Sequence, residues 1–170
     1  SLPPGCARAD LSAPFQWHMP VGIDAGPGSL DRVAPALGSR RAVVLAFEPA
    51  RALGIHTQLA PALGERLVLW LDCDDRISSL VRARELAASC WTALRCEDAP
   101  VLIAIGGGTT MDLAKVLRCR PLDDDFGALQ AALRGQSPWP AMQRADLWLV
   151  PTTAGTGSEV TRWATVWDTE

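Results

Sequence analysis

Four short runs of mostly aliphatic and β-branched residues, separated by longer polar and mixed segments, most constrain the fold of this chain. They occupy residues 41–47, 66–71, 99–105 and 146–150. Runs of this length, apolar at nearly every position, are typical of strands buried on both faces of a parallel sheet. Helical patterns separate them, and no hairpin signal joins one run to the next. The chain is therefore predicted to be an α/β domain with a doubly wound, mostly parallel sheet.

The segments between these runs predict the helices. Ser29 is predicted to cap a helix that Gly38 ends, and Ser78 or Ser79 to cap the longest helix. Leu80, Ala83, Ala87, Trp91 and Leu94 share one face of that longest helix. Further helices are expected over residues 49–63, with a break near Gly54, and over residues 109–118 and 123–135. Two more strands are expected, over residues 17–23 and 162–168.

Length and composition limit the classes of protein to which the chain can belong. The chain has 170 residues, 48% hydrophobic and 21% charged, which suits one globular domain with a substantial core. Its formal net charge of −3, with acids and bases interspersed, disfavours a nucleic-acid-binding surface. No apolar run approaches the roughly 18 residues of a membrane span, and no secretory signal is visible. We therefore expect no nucleic-acid partner, no membrane association and a cytoplasmic location.

The cysteines support a reducing compartment. Their number is odd and none forms a CxxC pair, which disfavours a disulfide framework or a zinc cluster. We expect most of them to be small apolar packing residues; they are Cys6, Cys73, Cys90, Cys96 and Cys119.

The first chemical signal is the turn of Gly106, Gly107 and Gly108 between the third apolar run and the next helix. In a parallel sheet, ligands bind outside the carboxyl ends of the strands, where this turn is predicted to lie. Glycines allow positive φ and close approach of an anion, and the helix start adds free N–H groups. The order differs from GxGxxG and from the P-loop. The turn alone therefore fits either a phosphate site or a tight strand-to-helix connection.

Asp112 and Lys115 lie three residues apart on the helix after this turn, and hence on one face. Lys115 is the only lysine of the chain, beside fifteen arginines. The spacing fits two interpretations equally. One is a surface ion pair of little energetic consequence; in the other, Asp112 binds a ligand or loop and Lys115 helps to fix the turn.

A second polar stretch, PTTAGTGSEVTRW, begins at Pro151 directly after the fourth apolar run. Seven of the next eleven residues are threonine, glycine or serine, so N–H groups and hydroxyls recur with little steric bulk. Such a stretch suits hydrogen bonds to phosphate, ribose or amide groups, and a polar surface loop is the alternative.

Together the two motifs are specific. GGGTTMDLAK followed some forty residues later by PTTAGTGSEVT resembles the iron-containing (type III) alcohol dehydrogenases, whose pattern is GGGS-x-x-D-x-x-K and then PTTxGTGSE. Thr109 stands where the family usually has serine and keeps the hydroxyl. The resemblance covers nearly the whole chain, including the GPGSL turn at residues 26–30. It implies that residues 1–170 form a Rossmann-like NAD(P)-binding domain, similar to the N-terminal domain of dehydroquinate synthase, in a two-domain enzyme whose helical C-terminal domain is absent from this sequence.

The resemblance also assigns a cofactor site by position. It implies that Gly107, Gly108 and Thr109 bind the pyrophosphate, with Gly106 and Asp112 completing this part of the site. The adenosine, ribose and nicotinamide portions would be lined by Thr152, Thr153, Thr156, Thr161 and Trp163. Family members often carry an acid after the strand corresponding to residues 41–47, which binds the adenosine ribose and repels the 2′-phosphate of NADP. Glu48 is the nearest acid, so NAD is favoured over NADP; a helix-start carboxylate is the other interpretation of Glu48.

The implied reaction is hydride transfer between the nicotinamide and a small alcohol or aldehyde, with a divalent iron or zinc polarising the substrate oxygen. The family's metal ligands, one aspartate and three histidines, lie in the part that this sequence lacks, and neither His18 nor His56 matches one. No catalytic residue and no metal ligand is therefore assigned. We expect the chain alone to bind the dinucleotide without turnover, and a homo-oligomer, as is common in the family.

Two alternatives stay open. One is a relative with different chemistry, such as a glycerol dehydrogenase or a dehydroquinate synthase, although the GTGSE sequence favours the alcohol dehydrogenases. The other is a non-catalytic nucleotide-binding module. Tryptophan-rich segments such as WATVWD are similar to the branch that reduces phosphonoacetaldehyde to 2-hydroxyethylphosphonate. Most of the seven tryptophans are nevertheless predicted to pack in the core, with Trp163 as the exception.

Overall fold

The computed structural model describes residues 21–74, 77–95 and 100–169, in which strands and helices alternate. The strands are β1 (Ala42–Phe47), β2 (Leu67–Cys73), β3 (Val101–Gly106), β4 (Cys119–Pro121), β5 (Met142–Arg144) and β6 (Leu147–Pro151). The α-helices are α1 (Val33–Leu37), α2 (Ile55–Leu63), α3 (Leu80–Leu94), α4 (Gly108–Leu117) and α5 (Phe126–Leu133). Short 3₁₀ helices cover Ser29–Arg32, Glu48–Ala50, Gly64–Arg66 and Ser158–Val160.

The central sheet contains four parallel strands in the order β2-β1-β3-β6, which confirms the predicted α/β architecture. From β1 the chain passes to β2 on one side and then crosses to β3 on the other. The strand order therefore reverses between β1 and β3. The crevice at such a reversal, outside the carboxyl ends of the strands, is where sheets of this kind bind ligands.

Helices cover both faces of the sheet, as expected of a doubly wound domain. Alternate residues of β1 and β3 point to opposite faces: Leu45 and Leu102 pack with α3, α4 and α5, whereas Val44 and Ile103 pack with α1 and α2. Every residue of β1 and β3 is buried, as the apolar runs predict. The prediction of full burial is wrong for β2 and β6, which have one neighbouring strand each and are partly exposed.

The longest helix, α3, begins as predicted. Ser79 is its N-cap, and the hydroxyl accepts a hydrogen bond from the N–H of Arg82 at 3.1 Å. The predicted apolar face is buried along its length. Trp91 on this face donates its indole N–H to the carbonyl of Leu117, at 2.8 Å, and so ties α3 to the end of α4.

Two features near the start of the described chain differ from the predictions. Ser29 does not cap a helix: Gly28, with a φ of 74°, precedes the 3₁₀ turn that Ser29 begins, and α1 follows it. Of the strand expected over residues 17–23, the first four residues lie outside the described part, and residues 21–23 form no strand. Val21 and Ile23 are exposed, and neither belongs to a strand of the two sheets in the described ranges.

The edge strand expected over residues 162–168 is also wrong. Only Trp167 makes a single bridge, to Ser79 at the start of α3. The N–H of Trp167 donates to Ser78 and its carbonyl accepts from Leu80, so this segment runs along the start of a helix and adds nothing to the sheet. The antiparallel pair of β4 and β5 was not predicted, because each strand has three residues and carries arginine or proline.

Candidate functional site

The first loop of the candidate site connects β3 to α4 through Gly106, Gly107 and Gly108. Gly107 is the N-cap of α4 with a φ of −84° and a ψ of −169°, and none of these three glycines has a positive φ. The positive φ that glycine allows is therefore not used in this turn. The requirement is close packing: a Cβ on Gly106 would lie 2.4 Å from the Thr110 hydroxyl oxygen.

The second loop follows β6 and runs over residues 152–157. It is attached to the first loop at its start, where the N–H of Thr152 donates to the carbonyl of Gly106 at 2.9 Å. Positive φ occurs here, at Gly155 (95°) and Gly157 (65°), which turn the chain back toward α4. Most of the loop is exposed. The glycines of the two loops therefore serve different purposes: close approach in the first and chain reversal in the second.

The two loops face each other at the carboxyl edge of the sheet. A Cβ built on Gly107 would lie 3.0 Å from Thr153 Oγ1, and one on Gly108 would lie 3.3 Å from Thr156 Cγ2. As N-cap, Gly107 offers no side-chain oxygen to the first turn of α4. The first N–H groups of that helix are therefore available to an anion, and two threonines of the second loop stand beside them.

Asp112 and Lys115 join the end of the second loop to α4. Their side chains are 14% and 8% exposed, so the interpretation as a surface ion pair is wrong. The Lys115 ammonium lies 3.1 Å from Asp112 Oδ1 and donates to Ser158 Oγ at 2.8 Å and to the carbonyl oxygen of Trp163 at 2.5 Å. Thr161 Oγ1 is 3.4 Å away. The pair therefore binds a loop.

The Asp112 carboxylate is engaged by the chain itself. One oxygen accepts from Lys115 and from the Ser158 hydroxyl, at 2.7 Å from the latter. The other accepts from the N–H of Thr165 at 2.9 Å. Asp112 thus organises the chain that follows the second loop, and direct contact of Asp112 with a cofactor stays a prediction.

Glu48 follows β1 at the same edge of the sheet. β1 runs beside β3 up to Ala46 opposite Ile105, so Glu48 leaves the sheet next to the glycine turn. It is exposed and begins the 3₁₀ helix Glu48–Ala50. Nearby, Arg51 forms an ion pair with Asp72 at 2.8 Å. Both interpretations of Glu48, as a ribose ligand and as a helix-start carboxylate, are compatible with this position.

The structure thus brings most of the predicted cofactor residues together. Thr109 lies in the first turn of α4, directly after the first loop and on the side of the site that this loop forms. Thr161 contacts Lys115, and the Trp163 side chain is 71% exposed, with the Arg162 guanidinium 4.7 Å from its ring centre. Sequence reasoning missed Ser158, which is buried and bridges Asp112 and Lys115. The only lysine of the chain, placed three residues after an aspartate, was the available signal for this network.

Other candidate residues play structural roles. His56 packs edge-on against Trp70, with ring centres 4.6 Å apart, while His18 lies outside the described residues. Within the described ranges, no group of three or more His, Cys, Asp or Glu side chains is arranged to hold a metal. Cys73 and Cys90 are buried, as predicted for small apolar packing residues, and Cys119 is partly buried; Cys6 and Cys96 are not described.

The tryptophans are divided between core and surface. Trp91 is buried and Trp70 and Trp148 are partly buried, as predicted, and Trp163 is exposed. The prediction is wrong for Trp139 and Trp167, which are exposed, and Trp17 lies outside the described residues.

A separate hollow of about 800 Å³ lies between the ends of α3, α4 and α5 and the segment of residues 164–168. Leu80, Val116, Arg134 and Asp168 are among its lining residues, and neither loop contributes to it. The candidate site therefore does not coincide with this hollow; it lies at the carboxyl edge of the sheet, where most of the second loop is exposed.

Comparison with known proteins identifies the family. The model of the family described as iron-containing alcohol dehydrogenase matches residues 20–170. The chain belongs to the iron-containing alcohol dehydrogenase family. This confirms the resemblance carried by the two motifs. In the part of the chain that the structure describes, no helix is long and apolar enough to cross a membrane.

Named relatives in this family are alcohol dehydrogenases and aldehyde reductases. The chain is 43% identical over 79 residues to phosphonoacetaldehyde reductase of Streptomyces viridochromogenes, an alignment that covers 44% of this chain and 20% of that protein. It is 40% identical over 60 residues to 4-hydroxybutyrate dehydrogenase of Clostridium kluyveri, which covers 35% of this chain and 15% of that protein. The alignments thus span a small part of these iron-containing alcohol dehydrogenase relatives.

A solved structure confirms the fold. Sulfoacetaldehyde reductase from Bifidobacterium kashiwanohense in complex with NAD⁺ aligns with a TM-score of 0.67 at 22% identity, over 88% of this chain and 39% of that one. The crystal structure of an iron-containing alcohol dehydrogenase also aligns, with a TM-score of 0.67 at 21% identity, over 92% of this chain and 43% of that one. The α/β architecture of this chain is therefore also found in an iron-containing alcohol dehydrogenase.

Proposed function

We propose that residues 1–170 form the dinucleotide-binding domain of an NAD(P)-dependent alcohol dehydrogenase or aldehyde reductase, a two-domain enzyme, with NAD favoured over NADP. The observation that carries this proposal is the approach of the two loops at the carboxyl edge of β3 and β6. Gly107 and Gly108 lack side chains where Thr153 and Thr156 approach, beside the first turn of α4, whose N–H groups receive no side-chain cap from Gly107. This combination supplies backbone donors, hydroxyl donors and a helix terminus to a diphosphate.

Different residues of the chain would bind different parts of the dinucleotide. The N–H groups of Gly107, Gly108 and Thr109 would hold the diphosphate. The resemblance assigns Thr152, Thr153 and Thr156 to the adenosine, ribose and nicotinamide portions. Because Thr153 and Thr156 stand beside Gly107 and Gly108, we propose instead that the hydroxyls of these three threonines complete the hydrogen bonds of the diphosphate. Glu48 would accept from the ribose hydroxyls, and Thr161 and Trp163 would lie toward the nicotinamide. When bound, the nicotinamide exchanges a hydride with a small alcohol or aldehyde.

The described residues do not fit a metal, since they bring no suitable group of side chains together. We propose that the ligands of the iron or zinc that the family implies lie outside the described residues. For the substrate we propose a small alcohol or aldehyde, with phosphonoacetaldehyde as the specific candidate. The identity to phosphonoacetaldehyde reductase supports this choice. A cytoplasmic location and a homo-oligomer complete the proposal.

Binding of NADH to a glycine variant tests the proposed site. In Gly107→Val, the added side chain would displace Thr153 and fill the space for the diphosphate, so the Kd for NADH should rise at least tenfold (about 1.4 kcal/mol). Gly22→Val is the matched control, since nothing lies within 4 Å of a Cβ at Gly22 and its φ is not positive. Calorimetry of both variants gives the answer. An unchanged Kd in Gly107→Val, with the protein folded, would remove the assigned turn from the site.

Binding by itself also fits a non-catalytic nucleotide-binding module. Steady-state assays of the whole enzyme with NADH and phosphonoacetaldehyde separate the two. Turnover supports the reductase, and intact binding without turnover of any small aldehyde supports the module.

A further inference from the structure

We infer that Lys115 and Asp112 are positioning residues of the dinucleotide site, acting through the loop that they hold rather than by touching the ligand. This inference rests on the proposed function. The pair attaches the chain between Ser158 and Thr165 to α4 and thereby keeps the second loop opposite Gly107 and Gly108.

The Lys115 ammonium is the centre of the attachment. It has three protons and four oxygen neighbours within 3.4 Å, of which one belongs to Asp112 and three to Ser158, Thr161 and Trp163. Charge-assisted hydrogen bonds of this kind are stronger than neutral ones. Because the side chain is almost completely buried, water cannot easily replace these acceptors.

The Asp112 carboxylate supplies the second half of the attachment. It neutralises the buried ammonium and accepts from the hydroxyl of Ser158 and the N–H of Thr165. Each charge is therefore paired, and each binds the same segment independently. Removing one partner would leave the other buried and unpaired.

The second loop is consequently fixed at both ends. At its start, Thr152 is bonded to Gly106 in the first loop, and at its end Ser158 is bonded to Lys115 and Asp112. Between these two points the loop is exposed and turns at two glycines with positive φ. Without the second attachment, dinucleotide binding would have to order this glycine-containing loop, which weakens affinity.

Lysine is specifically suited to this position. Its compact ammonium can donate in several directions, whereas the guanidinium of arginine is planar and donates in a fixed fork. We therefore expect Lys115→Arg to behave like Lys115→Met, although it retains the charge. Ser158→Ala removes one bridging hydroxyl and should give a smaller effect in the same direction.

The attachment itself has two direct readouts that need no ligand. Because Lys115 is the only lysine, labelling with ¹⁵N-lysine gives one side-chain ammonium signal without assignment. A hydrogen-bonded buried ammonium exchanges slowly and should be visible in the wild type. Trypsin cleavage after Arg162, which lies within the held segment, should be slow in the wild type and at least tenfold faster in Lys115→Met.

The decisive experiment compares nucleotide affinities of the full chain. Kd values for NAD⁺ and for adenosine are measured by calorimetry on the wild type, Lys115→Met, Lys115→Arg and Ser158→Ala. Glu85→Gln is the matched control, because Glu85 forms an exposed (i,i+3) pair with Arg82 on the neighbouring helix. We expect Lys115→Met to weaken NAD⁺ at least tenfold and adenosine less than twofold, because adenosine lacks the diphosphate that the two loops are proposed to hold, while the control changes neither.

The outcomes separate the two proposals. No NAD⁺ binding by the wild type overturns the proposed function together with the inference. Wild-type binding with an unchanged NAD⁺ Kd in Lys115→Met overturns only the positioning role. Equal weakening of NAD⁺ and adenosine also overturns it, since that is the result of general destabilisation. If Lys115→Met does not fold, Ser158→Ala decides by the same criteria.

Discussion

Gly107 and Thr153 face each other across the carboxyl ends of β3 and β6, where a Cβ on the glycine would lie 3.0 Å from the threonine hydroxyl oxygen. This approach joins two loops that are far apart in the sequence. It is possible because β3 and β6 are neighbours, paired from Leu102 opposite Leu147 to Gly106 opposite Pro151. The parallel sheet thus places both polar motifs at one edge, where parallel sheets bind their ligands.

Gly106→Ala should destabilise the fold more than it alters ligand binding. The new Cβ would lie 2.4 Å from Thr110 Oγ1 and 2.6 Å from Thr110 Cβ, in a buried region where neither can move freely. We expect a loss of about 1–3 kcal/mol in the free energy of unfolding, as for other overpacked sites. Urea denaturation measures it, with Gly22→Ala as control. Equal stability of the two variants would contradict the close packing of Gly106 on Thr110.

Glu48→Gln should shift the cofactor preference toward NADP. Removing one negative charge beside the adenosine ribose reduces repulsion of the 2′-phosphate, which is worth about 1 kcal/mol, or roughly fivefold in the Kd ratio of NADP to NAD. Glu65→Gln is the control, because Glu65 is exposed and precedes β2 at the opposite edge of the sheet. An unchanged ratio in Glu48→Gln would leave Glu48 as a helix-start carboxylate.

Arg66 should be important for stability although it lies far from the candidate site. Its guanidinium donates to the carbonyls of Ala34 at 2.8 Å and Gly38 at 2.7 Å near the end of α1, and of Ala62 at 2.7 Å and Leu63 at 3.1 Å at the end of α2. A cation at two helix C-termini satisfies otherwise unpaired carbonyls.

We therefore expect Arg66→Met to lower the free energy of unfolding by about 2 kcal/mol. Arg40→Met, which breaks the exposed pair with Asp146, should cost less than about 1 kcal/mol. Chemical denaturation of both variants measures the difference, and a loss in Arg66→Met no larger than in Arg40→Met would show that the four hydrogen bonds contribute little.

The buried thiol of Cys90 should make stability depend on alkaline pH. Burial raises the pKa of Cys90 from 9.0 to about 12. Below the ordinary value both the folded and unfolded states carry the proton, and the full stability is present. As the pH rises toward the folded pKa, the unfolded state loses the proton first, so the free energy of unfolding falls by at most about 1.4 kcal/mol per pH unit.

Urea denaturation between about pH 7 and pH 10 tests this dependence. Cys90→Ala should flatten the alkaline slope, and the remaining slope includes Cys119, whose pKa burial also raises. Identical slopes in the wild type and in Cys90→Ala would show that the Cys90 thiol does not couple to folding.

The sheet and its helices were predictable from sequence because the relevant signals are local. A few neighbouring residues suffice to predict each of these elements. The β-branched run predicts β1, and the capping serine together with the apolar face predicts α3. Segments whose hydrogen bonds go to distant partners were not predictable. The region around Trp167 has strand-like composition, but its backbone pairs with the start of α3.

The candidate site was likewise predictable only where its signals are local in the sequence. The glycine turn and the threonine-rich stretch were visible as patterns, and their position at strand ends followed from the predicted sheet. The glycines of the first loop have no positive φ, and their close packing on Thr110 could not be predicted because it depends on side chains that the pattern does not place. The burial of Lys115 depends on the path of residues 158–165. The three-residue spacing of Asp112 and Lys115 could therefore not predict it.

The crystal structure of the complex with NAD⁺ tests the central claim most directly. We predict density for the diphosphate within hydrogen-bonding distance of the N–H groups of Gly107, Gly108 and Thr109, with the hydroxyls of Thr153 and Thr156 on its other side. Bound NAD⁺ whose diphosphate lies away from either loop would contradict the account, as would loops that separate when the dinucleotide binds.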